Sequence, residues 1–193
     1  MTTIQRLASF ITVSTAELEK TNALLAEANR KLSYVAAHDG LTGLLNRESI
    51  ESVLHRLVWE RKKDQVEFSA IMIDLDDFKS INDIHGHSEG DRVLKEVSSI
   101  FMDEIKPPQK AGRWGGDEFV IFLPDTGEDK AFSLAERLKK EFQRLVKCGG
   151  KSVSASFGVT SSKEGETFDS FYRKMDTALY HAKFKGKNRI FII

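Results

Sequence analysis

The sequence predicts an α+β domain, with a mostly antiparallel sheet and helices on one or both faces, preceded by one long helix. After that helix, the predicted elements run strand, helices, hairpin, helix, strand, helix, strand, an order that fits one layer of sheet with packed helices. Apolar residues at alternating or continuous positions mark the strands, and longer amphipathic runs mark the helices. Two glycines, Gly115 and Gly116, separate two strand-like runs and indicate a tight hairpin.

The composition is that of a globular chain without a strong charge. Its 193 residues are 40% hydrophobic, which suits one domain with an additional segment. Lys+Arg and Asp+Glu both number 29, so a formal net charge of zero argues against a general nucleic-acid or acidic-membrane binder. Cys148 is the only cysteine, which excludes an intrachain disulfide and fits a reducing, cytoplasmic location. No apolar run approaches the ~20 residues of a membrane span, and residues 7–13 do not read as a signal peptide.

The first predicted element, residues 1–38, has the pattern of a coiled coil. It contains no glycine or proline, and apolar residues recur every seven positions. The a positions are isoleucine or leucine throughout, whereas the d positions are weak in the middle: Ile4, Ile11, Leu18, Leu25 and Leu32 at a, and Leu7, Ser14, Thr21, Ala28 and Val35 at d. An amphipathic helix packed on its own domain is the alternative. The narrow seam favours a coiled coil of modest stability.

The remaining elements follow from residue 39. Gly40 and Gly43 end the first helix, while Asp39 and Asn46 are interpreted as caps. The predicted elements are a helix to about Lys63, strand Val66–Asp74, helices Phe78–Asp83 and Glu89–Met102, strands Lys110–Trp114 and Glu118–Leu123, helix Glu128–Val146, strand Ser152–Thr160, helix Phe168–Lys185 and strand Arg189–Ile193. In the helix that begins at Glu128, the apolar face is Leu134, Leu138, Phe142 and Leu145.

Acidic residues follow the glycine turn directly. Asp117 and Glu118 stand at the tip of a hairpin whose second strand, Phe119–Leu123, is uniformly apolar. Such a run predicts a central hairpin that is buried on both faces. An acidic pair beside a bare Gly-Gly backbone favours a functional site over a solubility role.

Two more aspartates, Asp74 and Asp76, end the first predicted strand and share a face at period two. A carboxylate at the end of a buried strand loses hydration, and a hard cation offsets that loss. If this strand lies beside the hairpin, Asp74 and Asp117 converge and can hold metal ions. The alternative is that the aspartates cap the next helix, and this is the preferred interpretation for Asp76.

Arg113–Phe119 resembles the signature of the GGDEF family, the diguanylate cyclases, because it contains Gly-Gly-Asp-Glu-Phe preceded by arginine and an aromatic residue. Four further stretches are similar to family motifs in family order, and the resemblance covers about residues 39–193. They are Asp39–Arg47, Asp74–Lys79, Lys79–Asp91 and Ala182–Arg189. The resemblance implies a palm-like nucleotidyl cyclase fold for residues 39–193 and a signalling and dimerisation helix for residues 1–38.

The resemblance also implies roles for individual residues. Two Mg²⁺ ions per active site, with Mn²⁺ as a substitute, would be bound by Asp74, the main-chain carbonyl of Leu75 and Asp117. Glu118, beside Asp117, would position or deprotonate the attacking 3′-hydroxyl. The implied GTP-binding residues are Phe78, Lys79, Asn82, Asp91, Gly115, Gly116, Lys183 and Lys187.

The residues that the resemblance assigns to GTP fall into two groups, one for the guanine base and one for the phosphates. Asn82 and Asp91 match guanine-binding positions, and a carboxylate can accept from the adjacent N1–H and N2–H₂ donors of guanine, which adenine lacks. Lys183 and Lys187 lie four residues apart, so they can share a helix face beside the phosphates. Lys187 replaces the usual arginine, and Lys79 is a further phosphate candidate. The alternative is that these lysines only favour a helix C-terminus.

The implied function is condensation of two GTP into cyclic di-GMP and two pyrophosphates across a homodimer, in bacterial second-messenger signalling, with an upstream sensor domain as a compatible partner. The alternatives are a non-catalytic GTP- or cyclic-di-GMP-binding module and a dimerisation adaptor with a vestigial cyclase. The intact hairpin tip favours the enzyme. His85 and His87 lack the further ligands of a zinc site. Lys106 and Gln109 replace the arginine and aspartate of the family's inhibitory Arg-x-x-Asp motif.

Overall fold

A computed structural model describes the backbone of residues 3–193 and the side chains of residues 3 and 17–193. Contacts divide the chain into two units, residues up to Ala37 and His38–Ile193. The first unit is helix α1, Thr3–Ala37. Its Leu18, Leu25 and Leu32 are 61%, 57% and 67% exposed. The predicted seam positions at residues 4, 7, 11 and 14 lie outside the described side chains, and the coiled coil stays a prediction.

The second unit is built on a five-stranded sheet in the order β2-β3-β1-β6-β7. Its strand β7 runs parallel to β6, whereas the other neighbouring strands are antiparallel. The bounds are β1 Phe68–Leu75, β2 Lys110–Gly115, β3 Glu118–Pro124, β4 Lys147–Cys148, β5 Lys151–Ser152, β6 Ala155–Ser161 and β7 Ile190–Ile192, with helices α2 Arg47–Asp64, α3 Phe78–His85, α4 His87–Glu104, α5 Glu128–Leu145 and α6 Phe168–Phe184. The predicted α+β class is confirmed.

Each face of the sheet has its own core. On one face, Phe119 of β3 and Phe157 of β6 pack with Phe101 of α4 and Phe142 of α5. On the other, α2 and α6 cover the alternate residues of β1 and β3, with Phe68 against Phe171. In the described part of the chain, no helix combines the length and apolarity that a membrane span requires.

The predicted central position of the hairpin is correct for β3 and wrong for β2. Strand β3 lies inside the sheet and is buried throughout Phe119–Leu123, whereas β2 is an edge strand. The main chain of Leu45 covers that edge: its N–H donates to Ala111 at 3.3 Å, and its carbonyl accepts from Arg113 at 2.8 Å. The edge of β2 is therefore hydrogen-bonded to the segment that enters the domain. The hydrophobic pattern of the hairpin does not predict this pairing.

Two further predictions differ from the structure. Leu145 is 48% exposed rather than inward, because α5 ends there and the next residue, Val146, takes the buried position. The predicted strand Ser152–Thr160 is interrupted at residues 153–154 and separates into β5 and β6. Strand β5 instead pairs with β4 in a small hairpin.

Helix α6 lies unusually close to the sheet at Gly158 of β6. A Cβ at this position would overlap the main chain of Leu179 in α6. The absence of a side chain therefore sets how closely the helix approaches β6. This matters for the site because the last turn of α6 carries Lys183.

Candidate active site

The register of two strands brings the predicted acidic residues together. Strands β1 and β3 are antiparallel neighbours, and Asp74 lies directly opposite Glu118. Just beyond this pair, the N–H of Leu75 donates to the carbonyl of Asp117 at 3.3 Å. The end of β1 and the hairpin tip are thus adjacent, which is the condition under which Asp74 and Asp117 were expected to converge.

The turn itself is held by Arg113, which donates from Nε and Nη2 to the carbonyl of Gly116 at 2.9 and 2.7 Å. Its Nη1 also contacts the Asp39 carboxylate at 3.2 Å. Burial would raise the pKa of Asp39, but hydrogen bonds from Thr42 and the Arg113 charge outweigh it and lower the pKa. Asp39 thus caps its own turn, as predicted, and in addition anchors the arginine that holds the hairpin. Asn46 also caps as predicted, accepting from Ser49 N.

A cavity of about 390 Å³ opens at this junction. It is lined by acidic and basic side chains together with Leu75 and Phe78: Asp74, Asp76, Asp77, Lys79, Asp117, Lys183 and Lys187. The residues assigned to metal and phosphate by resemblance are therefore brought to one cavity. Gly115, Gly116 and Glu118 belong to the adjoining hairpin tip.

Asp74 is the most perturbed carboxyl group at this cavity. It is 8% exposed, and burial raises its pKa to about 6. The ammonium group of Lys183, 2.7 Å from Oδ2, partly offsets this rise, while Asp117 and Glu118 add to it. The arrangement concentrates negative charge where little water can screen it, so a cation would stabilise the ionised form.

Glu118 faces the α2 and α6 side of the sheet. Burial raises its pKa, the Lys183 charge lowers it, and Asp117 and Asp176 raise it further, with a lowering contribution from Arg47. The net direction is upward. A carboxylate whose pKa lies above its usual range is a better proton acceptor than an exposed one.

Trp114 precedes the glycine turn and is buried on the same side. Its ring stacks on Tyr172 of α6, with centroids 5.4 Å apart. The guanidinium of Arg47 at the start of α2 lies 5.1 Å from the indole centroid. The aromatic residue of the signature thus anchors the hairpin between two helices.

Lys187 reaches the cavity from a loop, so the prediction that it shares a helix face with Lys183 is wrong. Helix α6 ends at Phe184, and Gly186 follows with a φ of 113°. The Nζ of Lys187 lies 2.6 Å from Oδ1 of Asp77, and this contact raises the lysine pKa. Lys183 and Lys187 therefore line the same cavity without sharing a helix face.

The predicted capping role of Asp76 is also wrong. The residue at the N-cap of α3 is Asp77, and it makes no side-chain cap. The Asp76 carboxylate instead accepts hydrogen bonds from Ser154 Oγ, Ser156 Oγ and the Asn188 N–H, at 2.7, 2.7 and 2.9 Å. Sequence reasoning missed these partners; the one available signal was the pair of serines at period two that interrupts an otherwise apolar strand.

The predicted guanine-binding residues lie on α3 and α4, outside the lining of this cavity. Asn82 is half-buried and Asp91 is exposed. Between them, Gly90 provides space, because a Cβ there would overlap Oδ1 of Asn82. The structure places the two residues on adjoining helices, an arrangement that is compatible with a shared ligand.

The cavity offers oxygen donors that suit a hard cation. Within the described residues, no three His, Cys, Asp or Glu side chains converge as a metal-binding group. Asp74, Asp117 and the Leu75 carbonyl would supply a partial set. Mg²⁺ commonly takes one or two carboxylates and completes its coordination with water and substrate phosphates. The donors present therefore fit a magnesium ion that is bound together with a phosphate ligand.

Comparison with known proteins identifies relatives along most of the chain. The family model described as "Diguanylate cyclase, GGDEF domain" matches residues 36–189. Diguanylate cyclase DgcM of Escherichia coli is 36% identical over 160 residues, 83% of this chain and 39% of DgcM. The bifunctional diguanylate cyclase/cyclic di-GMP phosphodiesterase MucR of Pseudomonas aeruginosa is 34% identical over 189 residues, 94% of this chain and 28% of MucR. The chain thus spans less than half the length of these relatives.

Solved structures agree with the fold. The coiled coil and GGDEF domain of DgcB from Caulobacter crescentus, in complex with c-di-GMP, has a TM-score of 0.85 at 30% identity, covering 97% of this chain and 99% of that one. SiaD of Pseudomonas aeruginosa, in complex with its activator SiaC, has a TM-score of 0.79 at 32% identity, covering 98% and 73%. The resemblance in the sequence and the fold that it implied are confirmed: the chain belongs to the GGDEF domain family.

Proposed function

We propose that the protein is a diguanylate cyclase that condenses two GTP into cyclic di-GMP and two pyrophosphates. The observation that carries the proposal is the β1–β3 register, which sets Asp74 opposite Glu118 and next to Asp117. Lys183 and Lys187 bring positive charge to the same cavity. Relatives named diguanylate cyclase, at 33–36% identity, add support.

The chemistry assigned to the site is phosphoryl transfer between two bound nucleotides. The 3′-hydroxyl of one GTP attacks the α-phosphorus of the other, a new P–O bond forms, and the bond to the β-phosphate oxygen breaks with release of pyrophosphate. The 3′-hydroxyl of the second nucleotide then attacks the α-phosphorus of the first in the same way, which releases the second pyrophosphate and closes the ring. Glu118 is proposed to orient the hydroxyl and to accept its proton, a role that suits its raised pKa.

Cations must balance the charge of the triphosphate. In the proposal, Lys183 and Lys187 contact the phosphates, with Lys79 beside them. Diguanylate cyclases of this family are metal-dependent; we propose two Mg²⁺ ions, with Mn²⁺ as a substitute, held by Asp74, Asp117 and the Leu75 carbonyl. Bound metal would stabilise the charge that develops on the transferred phosphorus and the leaving group.

Selection of GTP is assigned to Asn82 and Asp91. A carboxylate can accept both hydrogens of the guanine N1–H and N2–H₂ edge, whereas adenine presents an acceptor at N1 and would leave the carboxylate unpaired. Phe78, whose ring lies against the same Gly90 position as Asn82, completes the proposed base site.

Each domain holds one GTP, so two domains must meet face to face. We propose that residues 1–38 form a dimerising and signalling coiled coil and that residues 39–193 form the catalytic domain. The exposed Leu18, Leu25 and Leu32 support a helix–helix contact, as does the DgcB structure, which is described as containing a coiled coil. A cytoplasmic location and an upstream sensor domain belong to the same proposal.

The test is incubation of the purified chain with GTP and Mg²⁺, followed by chromatography and a pyrophosphate assay. We expect cyclic di-GMP with two pyrophosphates per product, and no product from an Asp117→Asn control prepared in the same way. Nucleotide binding without product in the parent chain would identify a binding module instead. If the parent chain neither binds nucleotide nor forms product, the result would favour the dimerisation adaptor.

A further inference from the structure

Asp76 is a buried charged group that the proposed reaction does not use. It is 7% exposed and has no cation within ion-pair distance among the described residues. Its carboxylate is compensated by the two serine hydroxyls and by the Asn188 N–H. All three hydrogen bonds of this buried carboxylate go to two distant segments of the chain, so local capping does not explain its role.

One of these segments is the loop that carries Lys187. Gly186, Lys187 and Asn188 have φ values of 113°, 60° and 46° in succession. Positive φ is disfavoured for residues with a Cβ, so contacts must hold the loop in this form. The Asn188 N–H bonds to Asp76 at 2.9 Å, and the Asn188 side chain accepts from Gln143 at 2.9 Å. Asp76 thus holds the main chain directly after Lys187.

In the chain, Asp76 directly follows β1, whose last residues carry the acidic edge of the cavity. The residue follows Leu75, whose N–H bonds to Asp117, and its own N–H donates to the Ser154 carbonyl at 2.9 Å. Asp76 is therefore fixed to the β6 side of β1, and the residue before it is bonded to the hairpin tip. One side chain links the acidic edge of the cavity to the loop that delivers a lysine to it.

We propose that Asp76 is a positioning residue, which sets where the Lys187 ammonium group stands relative to Asp74 and Asp117. The proposal rests on the assignment of this cavity to nucleotide phosphates. Removal of the carboxylate would release Asn188 and let the Lys187 main chain shift, so that only the ion pair with Asp77 would still hold the ammonium group, while the base site on α3 and α4 stays intact. The effect should therefore fall on the phosphates of the ligand and not on its base.

The experiment compares the affinities of 3′-deoxy-GTP and 3′-deoxyguanosine by calorimetry, because neither ligand has the attacking hydroxyl. In Asp76→Ala the preference for the triphosphate should fall about tenfold, as expected for loss of one contact to a charged group. The same fall should occur in Lys187→Met, and the double variant should show little further loss. Asp76→Asn, which keeps an acceptor for Asn188, should retain most of the preference.

Ser154→Ala is the matched control, since it removes one bond to Asp76 and leaves the Asn188 bond in place; its preference should stay close to the parent value. Equal losses for both ligands, or additive losses in the double variant, would show a purely structural role. If Asp76→Ala does not fold, Asp76→Ser, which keeps a polar group but is too short to hold the Asn188 N–H, carries the same comparison. A parent chain without preference for the triphosphate would overturn the phosphate site itself, whereas an unchanged preference in Asp76→Ala overturns only the positioning role.

Discussion

Helices α1 and α5 each place leucines along one face, but those within residues 17–37 of α1 are exposed, whereas those that α5 turns toward the sheet are buried. In α1, Leu18 and Leu25 leave more than half of their side chains exposed, whereas in α5 Leu134 and Leu138 are buried against the sheet. The domain formed by residues 38–193 therefore has a core within one chain, whereas the proposed coiled coil would need another helix to cover these leucines of α1. The difference gives a practical criterion: defects in the domain should not depend on protein concentration, and defects in α1 should.

The largest effect is expected in the domain. Asp74→Asn or Asp117→Asn should abolish turnover at every protein concentration, because each removes a proposed metal ligand and leaves the fold intact. Product chromatography measures the loss, and circular dichroism checks the fold. Asp103→Asn, at an exposed aspartate of α4, is the control and should keep the parent rate. Parent-like product formation by either active-site variant would contradict the metal assignment.

Base selection should change next most strongly, again independently of concentration. Asp91→Ala removes the proposed acceptor for the guanine edge, so the preference for GTP over ATP should fall about tenfold to a hundredfold. Competition binding with the two nucleotides measures this ratio. Asp83→Ala, an exposed aspartate on α3, serves as the comparison. An unchanged ratio in Asp91→Ala would show that another group reads the base.

The raised pKa of Asp74 predicts that Asp74→Asn increases the free energy of unfolding at neutral pH, although it should abolish turnover. Its folded-state pKa of about 6 exceeds the ordinary value of 3.8, so the folded protein binds the additional proton between these values. The free energy of unfolding should therefore fall as pH rises from about 4 to about 6, and the contribution is fully lost above that range. Asp74→Asn should remove this slope and raise the free energy of unfolding at pH 7 by about 3 kcal/mol, less the stabilisation that Lys183 loses with its partner. Metal-free urea unfolding at several pH values tests this, and an identical slope in the variant would contradict it.

The α1 seam should give the smallest and the only concentration-dependent defect of this set. Leu18→Asp with Leu25→Asp introduces charge into the seam and should lower both the dimer fraction and turnover about tenfold, since a tether supplies a local concentration of about millimolar. Raising the protein concentration should restore part of the rate. Ala23→Asp with Ala26→Asp adds the same charge off the seam and should have little effect. A monomeric double leucine variant with the parent rate would contradict the tethering argument.

The sequence predicted the parts of the site whose signals are local. The apolar run of β1 placed Asp74 at a strand end, and the Gly-Gly turn placed Asp117 and Glu118 at a hairpin tip. Their adjacency was predicted only on the condition that β1 lies beside the hairpin, and the β1–β3 register meets that condition. Metal and substrate roles for these residues stay predictions.

What the sequence missed depends on contacts between distant segments. The partners of Asp76 lie 78, 80 and 112 residues away, and small hydroxyl or main-chain donors leave no periodic pattern. Strands β4 and β5 have two residues each, too short to produce alternation, although Gly149 and Gly150, with φ of 55° and 77°, marked their turn. The shared helix face of Lys183 and Lys187 was predicted from their spacing of four, which does not show that the chain has already left the helix at Gly186.

The position of Trp114 gives the protein a built-in optical reporter. The chain has two tryptophans: Trp59 is 57% exposed on α2, and Trp114 is 4% exposed directly before the glycine turn. Indole emission moves to longer wavelength when the ring meets water, so a Trp59→Phe protein would emit only from beside the hairpin tip. The wavelength of that single emitter would follow loosening of the turn, and its intensity would respond to a nucleotide that docks there, without any attached dye.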